Sequence, residues 1–427
     1  MPPVTGHRSP VTIVKRFAYT LLLYALLPGA LWHLVWRARR QPDYLRHVPE
    51  RFGYYRQARP AQPVIWLHAV SVGETRAAEP LIRALQKHHP DHRILLTHMT
   101  PTGRKTGSAL FDDRVLTCYL PYDFPGAVAR FLERFRPRVG VLMETEIWPN
   151  LVNACGEHRV PLYLVNARLS EKSWTKYRKF PELTRASLRQ FAGVAAQGED
   201  DARRLRALGA AAVSVAGNLK FDVAVPAEQV ALGGNWRAAC GSRQVLLAAS
   251  TRDGEEALLL DAMAALDMPE LLLVIVPRHP QRFDEVAALI EHRGFRYRRR
   301  AVGFAVDPDT RIILGDSMGE MPAYYAACDV AFVGGSLLAY GAQNLIEACA
   351  VGKPVLVGPS TYNFADAVEG AVAAGAALRV SDATELMRAA RQLLLDAKAR
   401  RRMGEAALVF CRAHQGATQR VLDLLRW

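Results

Sequence analysis

The chain has 427 residues, 50% of them hydrophobic, with 55 Lys and Arg against 41 Asp and Glu, for a net charge of +14. That length fits two domains with appendages, and the apolar content is ample for large cores. The positive excess favours an anionic partner such as nucleic acid, anionic lipid or a phosphorylated substrate. No RNP motif, zinc finger or base-reading basic helix is present, which sets nucleic acid aside. The six cysteines (Cys118, Cys155, Cys240, Cys328, Cys349 and Cys411) form no CxxC pair and mostly lie in apolar runs. Reduced, buried thiols in a cytosolic compartment fit this better than disulfides or a zinc site.

Near the N-terminus, residues 17–36 read FAYTLLLYALLPGALWHLVW, about long enough to span a bilayer. Lys15 and Arg16 precede the stretch, and Arg37, Arg39 and Arg40 follow it. Trp32 and Trp36 are suited to an interface. No small-residue cleavage site follows, so an uncleaved membrane anchor is expected. Pro28 and His33 interrupt a simple spanning helix, and a buried or interfacial helix is the alternative. Arg46, Arg51, Arg56 and Arg59 extend the basic character, as expected for contact with anionic headgroups on the cytoplasmic side.

From Val64 onward, short apolar runs alternate with helical patterns. Strands are expected at 64–67, 93–97, 115–120, 139–143, 161–165, 193–196 and 213–216. Helices are expected at 76–87, 126–135, 150–157, 183–191 and 200–208. Residues 223–241 read as a loop, with Pro226 and Gly233-Gly234. The alternation then resumes, with strands at 244–249, 271–276, 311–314, 330–333, 355–357 and 377–380. Helices fall between them at 255–266, 283–292, 322–327, 344–351 and 383–395, and residues 399–427 read as helical. Alternation at this spacing predicts an α/β fold with parallel sheets covered by helices on both faces. Two such units are expected to face a cleft, an architecture that resembles the GT-B sugar transferases, some sugar-nucleotide epimerases and two-domain binding proteins.

Candidate chemistry falls at the predicted strand ends, where open α/β sheets bind ligands. His68 to Glu74 crosses a strand-to-helix turn, and Glu74 is either a helix-end carboxylate or a base. Glu144 and Glu146 follow the strand at 139–143, Glu144 closer to its end. Glu146 is accounted for equally by the helix that follows or by function. Asn166-Ala-Arg-Leu-Ser170 leads into Lys172, Lys176, Arg178 and Lys179, a solvated face or an anion clamp. Lys220, in Gly217-Asn-Leu-Lys-Phe-Asp222, is placed to meet developing charge or to pair with Asp222. In the second half, Ser250 and Thr251 suit a phosphate or a helix cap. Arg278 stands at a strand's mouth. Gly334-Gly335-Ser336 through Gly341 form a glycine-rich loop leading to Asn344 and to Glu347, which suits ribose hydroxyls. Asp307-Pro-Asp309 reads as a turn, not a metal site.

Taken in order, HAVSVGE, METEIWPN, NARLSEKS, GNLKFD, PRHPQRF, DSMGE, VGGSL and GKPVLVGP resemble the Kdo (3-deoxy-D-manno-oct-2-ulosonic acid) transferases, over most of the chain up to about residue 370. The resemblance implies a GT-B fold at the cytoplasmic face of the bacterial inner membrane. It also implies transfer of Kdo from CMP-Kdo to a lipid A precursor (lipid IVA) in lipopolysaccharide synthesis, with inversion and without cofactor or metal. By motif, Glu74 would be the general base, and Glu144 and Lys220 would stabilise the transition state. Pro277, Arg278, Met318, Gly319, Glu320, Asn344, Leu345, Ile346 and Glu347 would hold CMP. Two motifs depart from the family. Gly341-Ala-Gln-Asn-Leu-Ile-Glu-Ala-Cys349 stands where many members read GGHNPLEPA, and Ser360 replaces a common His. The expected organisation is an anchor and basic segment at 1–48, an acceptor domain at 49–224 and a CMP-Kdo domain at 225–410. A C-terminal helix at 411–427 is expected to pack back on the acceptor domain. An epimerase-like nucleotide-sugar enzyme and a non-catalytic membrane-anchored binding protein are the alternatives.

Overall fold

The structure, a computed structural model, describes residues 10–39 and 41–427. Arg40, counted above in the basic flank, lies outside the described residues, as do residues 1–9. The chain divides into two compact units, one running to Val223 and regaining Gln415–Trp427, the other covering Ala224–His414.

The first unit is built on seven strands: β1 (Val64–His68), β2 (Arg93–His98), β3 (Val115–Tyr119), β4 (Pro137–Met143), β5 (Leu162–Ala167), β6 (Phe191–Ala196) and β7 (Val213–Val215). They pair in the order β3-β2-β1-β4-β5-β6-β7, and every pairing is parallel. Parallel strands need helical crossovers, so both faces are covered and the strands read as unbroken apolar runs. In β1, Val64 and Trp66 enter one core with Phe131 and Leu164, while Ile65 and Leu67 enter the opposite core with Leu81 and Val141. The helix Ala417–Leu424 belongs to this second core through Ala417 and Val421. Its start is fixed by Asp222, whose carboxylate accepts from the Gly416 and Thr418 amides at 2.7 and 2.5 Å.

The second unit repeats the plan with β8 (Gln244–Thr251), β9 (Leu271–Pro277), β10 (Tyr297–Arg299), β11 (Ile312–Leu314), β12 (Val330–Val333), β13 (Val355–Val357) and β14 (Ala377–Arg379). Their order is β10-β11-β9-β8-β12-β13-β14, again parallel throughout. Two seven-stranded doubly wound α/β units make the fold class GT-B.

Several elements differ from the sequence reading: the strand β10 and the helices Glu171–Tyr177 and Ala365–Ala373 were not expected, and three further elements changed in kind or extent. Residues read as a loop form the helix Ala227–Ala239. Its Gly233 is there for packing, because a Cβ at that position would lie 2.4 Å from the Ala323 carbonyl oxygen of the neighbouring helix. The helix Pro101–Phe111 was not expected, its glycines having masked the pattern. The helix expected at 344–351 is the shorter Ile346–Ala350, so Asn344 precedes it.

The N-terminal helix, Pro10–Ala38, is apolar on most sides yet largely uncovered by the chain. By length and composition its stretch Thr12–Ala38 is able to cross a membrane.

Candidate active site

In an open α/β sheet the strand order reverses at one point, and the loops leaving the two strands there diverge to opposite faces, opening a crevice. In the first unit that point lies between β1 and β4, paired through His68 and Leu142. Glu74 follows β1 and Glu144 follows β4 directly, so the topology brings to one sheet edge two acids 70 positions apart.

Glu74 lies in the first turn of the helix Val72–His88, whose cap is Ser71. The carboxylate accepts from the Val70 amide and the Ser71 hydroxyl, both at 2.9 Å, while Ser71 Oγ accepts from the Glu74 amide at 3.3 Å. This reciprocal pattern is a variant of the capping box in which the carboxylate takes the amide of the residue before the cap. Capping alone requires no burial, yet Glu74 is only 9% exposed. Burial pushes its carboxyl up to about 8, the Glu144 charge adds to the rise, and the two donors oppose it. A carboxyl held this far from its ordinary range takes or releases a proton near neutral pH.

Glu144 adopts φ 57°, in the left-handed region that costs a non-glycine residue roughly 1–2 kcal/mol. Its Oε1 lies 3.5 Å from Lys220 Nζ. Lys220 sits on the short 3₁₀ turn Leu219–Asp222, fixed by Asn218 Oδ1 accepting from the Lys220 amide and by Asn166 Oδ1 accepting from the Leu219 amide, each at 3.0 Å. Lys220 therefore pairs with Glu144, and Asp222 is used for the C-terminal helix instead. Asn166 is fully buried, also left-handed at φ 52°, and its Nδ2 has no partner among the described residues. Glu146 accepts from Trp148 Nε1 at 2.5 Å, and its carboxyl is raised first by burial and then by Glu144. His68 is core: Thr97 holds Nδ1, and burial presses it down to about 3.

The second unit reverses between β8 and β12. Ser250, at the end of β8, is left-handed at φ 57°, and the Gly334 backbone approaches so closely that a Cβ there would lie 2.6 Å from the Ser250 carbonyl oxygen. Arg278 follows β9. Its amide donates to the Thr251 carbonyl at 3.0 Å and its Nε to Gln343 Oε1 at 3.2 Å. Burial and then the Arg252 charge lower the Arg278 pKa, and Glu347 opposes them. Burial and the Arg252, Arg278 and Arg282 charges together depress His279. A cluster of mutually repelling cations at a switch point is an anion site in waiting. Glu347 accepts from Asn344 Nδ2 at 3.0 Å, and Asn344 Oδ1 accepts from the Ile346 amide at 3.1 Å. Leu345 and Ile346 bury their side chains, which leaves their backbone as their only polar contribution. Glu320 is paired with Arg300 at 2.9 Å, Gly319 is left-handed at φ 84°, and Met318 is exposed. Pro277 closes β9.

Two groups escaped the sequence reading. Arg252 lies over the Tyr340 ring at 4.6 Å and contributes its charge to the cluster. Glu255, at the start of the helix expected at 255–266, is fully buried and gathers the loop. It accepts from the amides of Arg252 at 2.8 Å, Gly335 at 2.6 Å and Leu337 at 3.0 Å. Those amides are thus taken by Glu255, and the arginines are left to meet an anion. Two adjacent acids opening an otherwise apolar helix were the available signal. Glu255→Gln keeps the shape but supplies one carbonyl oxygen for three donors. It is expected to cost about 2–4 kcal/mol, at about 1–3 kcal/mol per stranded buried group, read as a lower thermal midpoint. An unchanged midpoint would show that the loop stands without it.

Asp307 and Asp309 are engaged by Arg298 and Arg296, as befits the turn read from the sequence.

Two doubly wound units, each with charged side chains at its switch point, define a GT-B-type protein. The family model described as 3-deoxy-D-manno-octulosonic-acid transferase (kdotransferase) matches residues 46–223, and that of the group 1 glycosyl transferases matches residues 256–409. The 3-deoxy-D-manno-octulosonic acid transferase of Bordetella pertussis is 46% identical over 425 residues, covering 96% of this chain and 98% of that one. The Haemophilus influenzae protein of the same name is 37% identical over 421 residues, with the same coverage of 96% and 98%. The UDP-GlcNAc 2-epimerase of Neisseria meningitidis bound to UDP-GlcNAc aligns with TM-score 0.57 at 17% identity, covering 85% of this chain and 99% of that one. That likeness is one of fold. The chain belongs to the 3-deoxy-D-manno-octulosonic-acid transferase family, and it is a glycosyltransferase.

Proposed function

We propose that this enzyme transfers Kdo from CMP-Kdo to a lipid A precursor, lipid IVA, with inversion at the anomeric carbon, as a step of lipopolysaccharide synthesis. The observation that carries the reading is Glu74: a buried carboxyl poised near neutral pH, at the switch point and electrically coupled to Glu144. Glu74 takes the proton from an acceptor hydroxyl, and that oxygen forms the new bond to the anomeric carbon. The bond to the CMP phosphate oxygen breaks, and CMP departs with the electron pair. Lys220 and Glu144 form an ion pair, and in this reading they stabilise charge in the transition state. The first unit handles the acceptor and the second the donor.

In the second unit, Arg278 with Pro277, the Met318-Gly319-Glu320 turn and Asn344-Leu345-Ile346-Glu347 hold CMP. Arg252 and Arg278 support a donor site that meets phosphate charge without a metal, whereas Arg282 is held by Glu256 and Glu285. Activity should therefore survive EDTA, and abolition by EDTA restored by a divalent cation would overturn that part.

The deciding experiment incubates the full chain with CMP-Kdo and lipid IVA and weighs the lipid by mass spectrometry. A mass gain of one Kdo residue per transfer, with release of CMP, is expected. CMP-Kdo binding without CMP release would mark a binding protein instead, and conversion of a UDP-sugar would mark an epimerase.

The N-terminal helix and basic flank support attachment to the cytoplasmic face of the bacterial inner membrane. None of the described residues of the helix belongs to either large core of the first unit. Deletion through Arg40 is thus expected to weaken membrane association and leave measurable transfer to detergent-solubilised acceptor. Unfolding of the truncated chain would give the helix a structural role instead.

A further inference from the structure

We propose that the N-terminal helix does not cross the bilayer. It lies along one bilayer surface, docked by its first half on the first unit beside the loop that carries Glu144. This rests on the membrane attachment proposed above and specifies its geometry.

A spanning helix needs about 20 residues in contact with lipid. Here Lys15 pairs with Glu182 at 2.5 Å, Tyr19 donates to Asp123 Oδ2 at 3.0 Å, and Tyr24 packs on Phe124 with ring centroids 4.7 Å apart. Thr20 Oγ1 accepts from Asn150 Nδ2, also at 3.0 Å. Asp123 and Asn150 are buried parts of the folded unit. The stretch from Lys15 to Tyr24 therefore runs along the folded first unit. Residues 25–38 remain, about 21 Å of helix at 1.5 Å per residue, short of the roughly 30 Å hydrocarbon core.

The far end is tied to the same side. Leu34 and Ala38 pack with Tyr44 and Val48, and the Arg37 guanidinium lies over the Tyr44 ring at 4.3 Å. By Glu50 the chain is back inside the unit, where the carboxylate pairs with Arg104 at 2.6 Å and accepts from the Tyr119 amide at 2.8 Å.

The occupant of the uncovered face is a bilayer with anionic headgroups. Phe17, Leu21, Leu22, Leu26, Trp32 and Trp36 are exposed there, on a chain of net charge +14. An apolar stripe with basic residues at its margins is the pattern of a helix lying in the interface. Asp123 makes the docking consequential. Its carboxylate also accepts from the Asn150 amide at 3.0 Å and the Leu151 amide at 2.7 Å, in the first turn of the helix that follows the Glu144–Trp148 loop. One buried carboxylate thus joins the lipid-bound helix to the segment bearing Glu144.

The test uses the full chain with an N-terminal epitope tag, in bacterial inner-membrane vesicles of both orientations and in liposomes of phosphatidylethanolamine and phosphatidylglycerol. The expected result has three parts: flotation with the liposomes, a tag cut by protease only in inside-out vesicles, and a carbodiimide cross-link between Lys15 and Glu182 that Glu182→Gln abolishes. A tag cut only in right-side-out vesicles, with no cross-link, overturns the in-plane geometry and leaves membrane attachment standing. Failure to float overturns both. Phe17→Asp with Leu21→Asp should raise the unbound fraction about tenfold or more and spare transfer to detergent-solubilised acceptor. Unchanged flotation of that variant also overturns the proposal.

Discussion

Glu74→Gln is expected to lower turnover at least 10²-fold, within the roughly 10²–10⁴-fold that general base catalysis supplies, with CMP-Kdo binding nearly unchanged. The amide fits the same pocket. Its oxygen accepts from Val70 and its NH₂ donates to Ser71, the two groups that hold the carboxylate now. The loss should therefore be chemical, and near-wild-type transfer would remove Glu74 from the mechanism. The pH profile gives an independent check. Only the ionised carboxylate acts as a base, so wild-type turnover should climb with pH and level off above about 8, where the Glu74 carboxyl titrates. The glutamine variant should lack that limb.

Stability should move the other way. The folded chain keeps a proton on Glu74 between the ordinary 4.5 and about 8, whereas the unfolded chain has released it. The stability due to this group falls as pH rises through that window and is fully lost above it. Glu74→Gln should thus gain in thermal midpoint over wild type at pH 9, by several degrees, and show little difference at pH 4. A more active and less stable wild type at high pH is the signature of a base held against its own solvation.

Arg278→Ala is expected to weaken CMP-Kdo binding by about 10- to 150-fold, from the roughly 1.5–3 kcal/mol of a hydrogen bond to a charged group. Arg278 is fixed by its amide bond to Thr251 and its Nε bond to Gln343, so the rest of the guanidinium fork is presented in a set orientation. Lysine should recover only part of the loss, because a point charge does not reproduce a planar fork. The effect should appear in KM and in CMP titrations more than in turnover. The variant should be no less stable than wild type, since removing one cation relieves the crowding between Arg252 and Arg278. Unchanged CMP affinity would place the nucleotide elsewhere.

Most strands were legible because parallel strands buried on both faces are apolar, as β9 and β12 are throughout, whereas β10, reading Tyr-Arg-Arg, was missed. Helices at residues 76–87 and 126–135 were legible from their apolar periodicity. The helix Ala227–Ala239 was not, because Gly233 reads as a turn residue until the neighbouring backbone that demands it is seen. Among the site residues, Glu74 and Glu144 stood out by position, each just beyond a strand. Lys220 left two partners open, and only the path of the chain assigned it to Glu144 and gave Asp222 to the C-terminal helix. Glu255 was visible as an acid but not as the residue that gathers the glycine loop, since its three donors come from segments up to 82 positions away.

The sequence by itself determined the two α/β units, the order of the motifs along them and the family those motifs resemble. These are local properties: apolar period, turn residues, and short strings at strand ends. Only the tertiary structure decided which charges meet. Strand order set Glu74 beside Glu144 at one switch point and Arg252 beside Arg278 at the other. It also decided that an apolar N-terminal stretch of spanning length is docked along part of its course. A carboxyl's proton affinity and a helix's freedom to enter lipid depend on what surrounds them in space, and that is fixed by packing between residues distant in the chain.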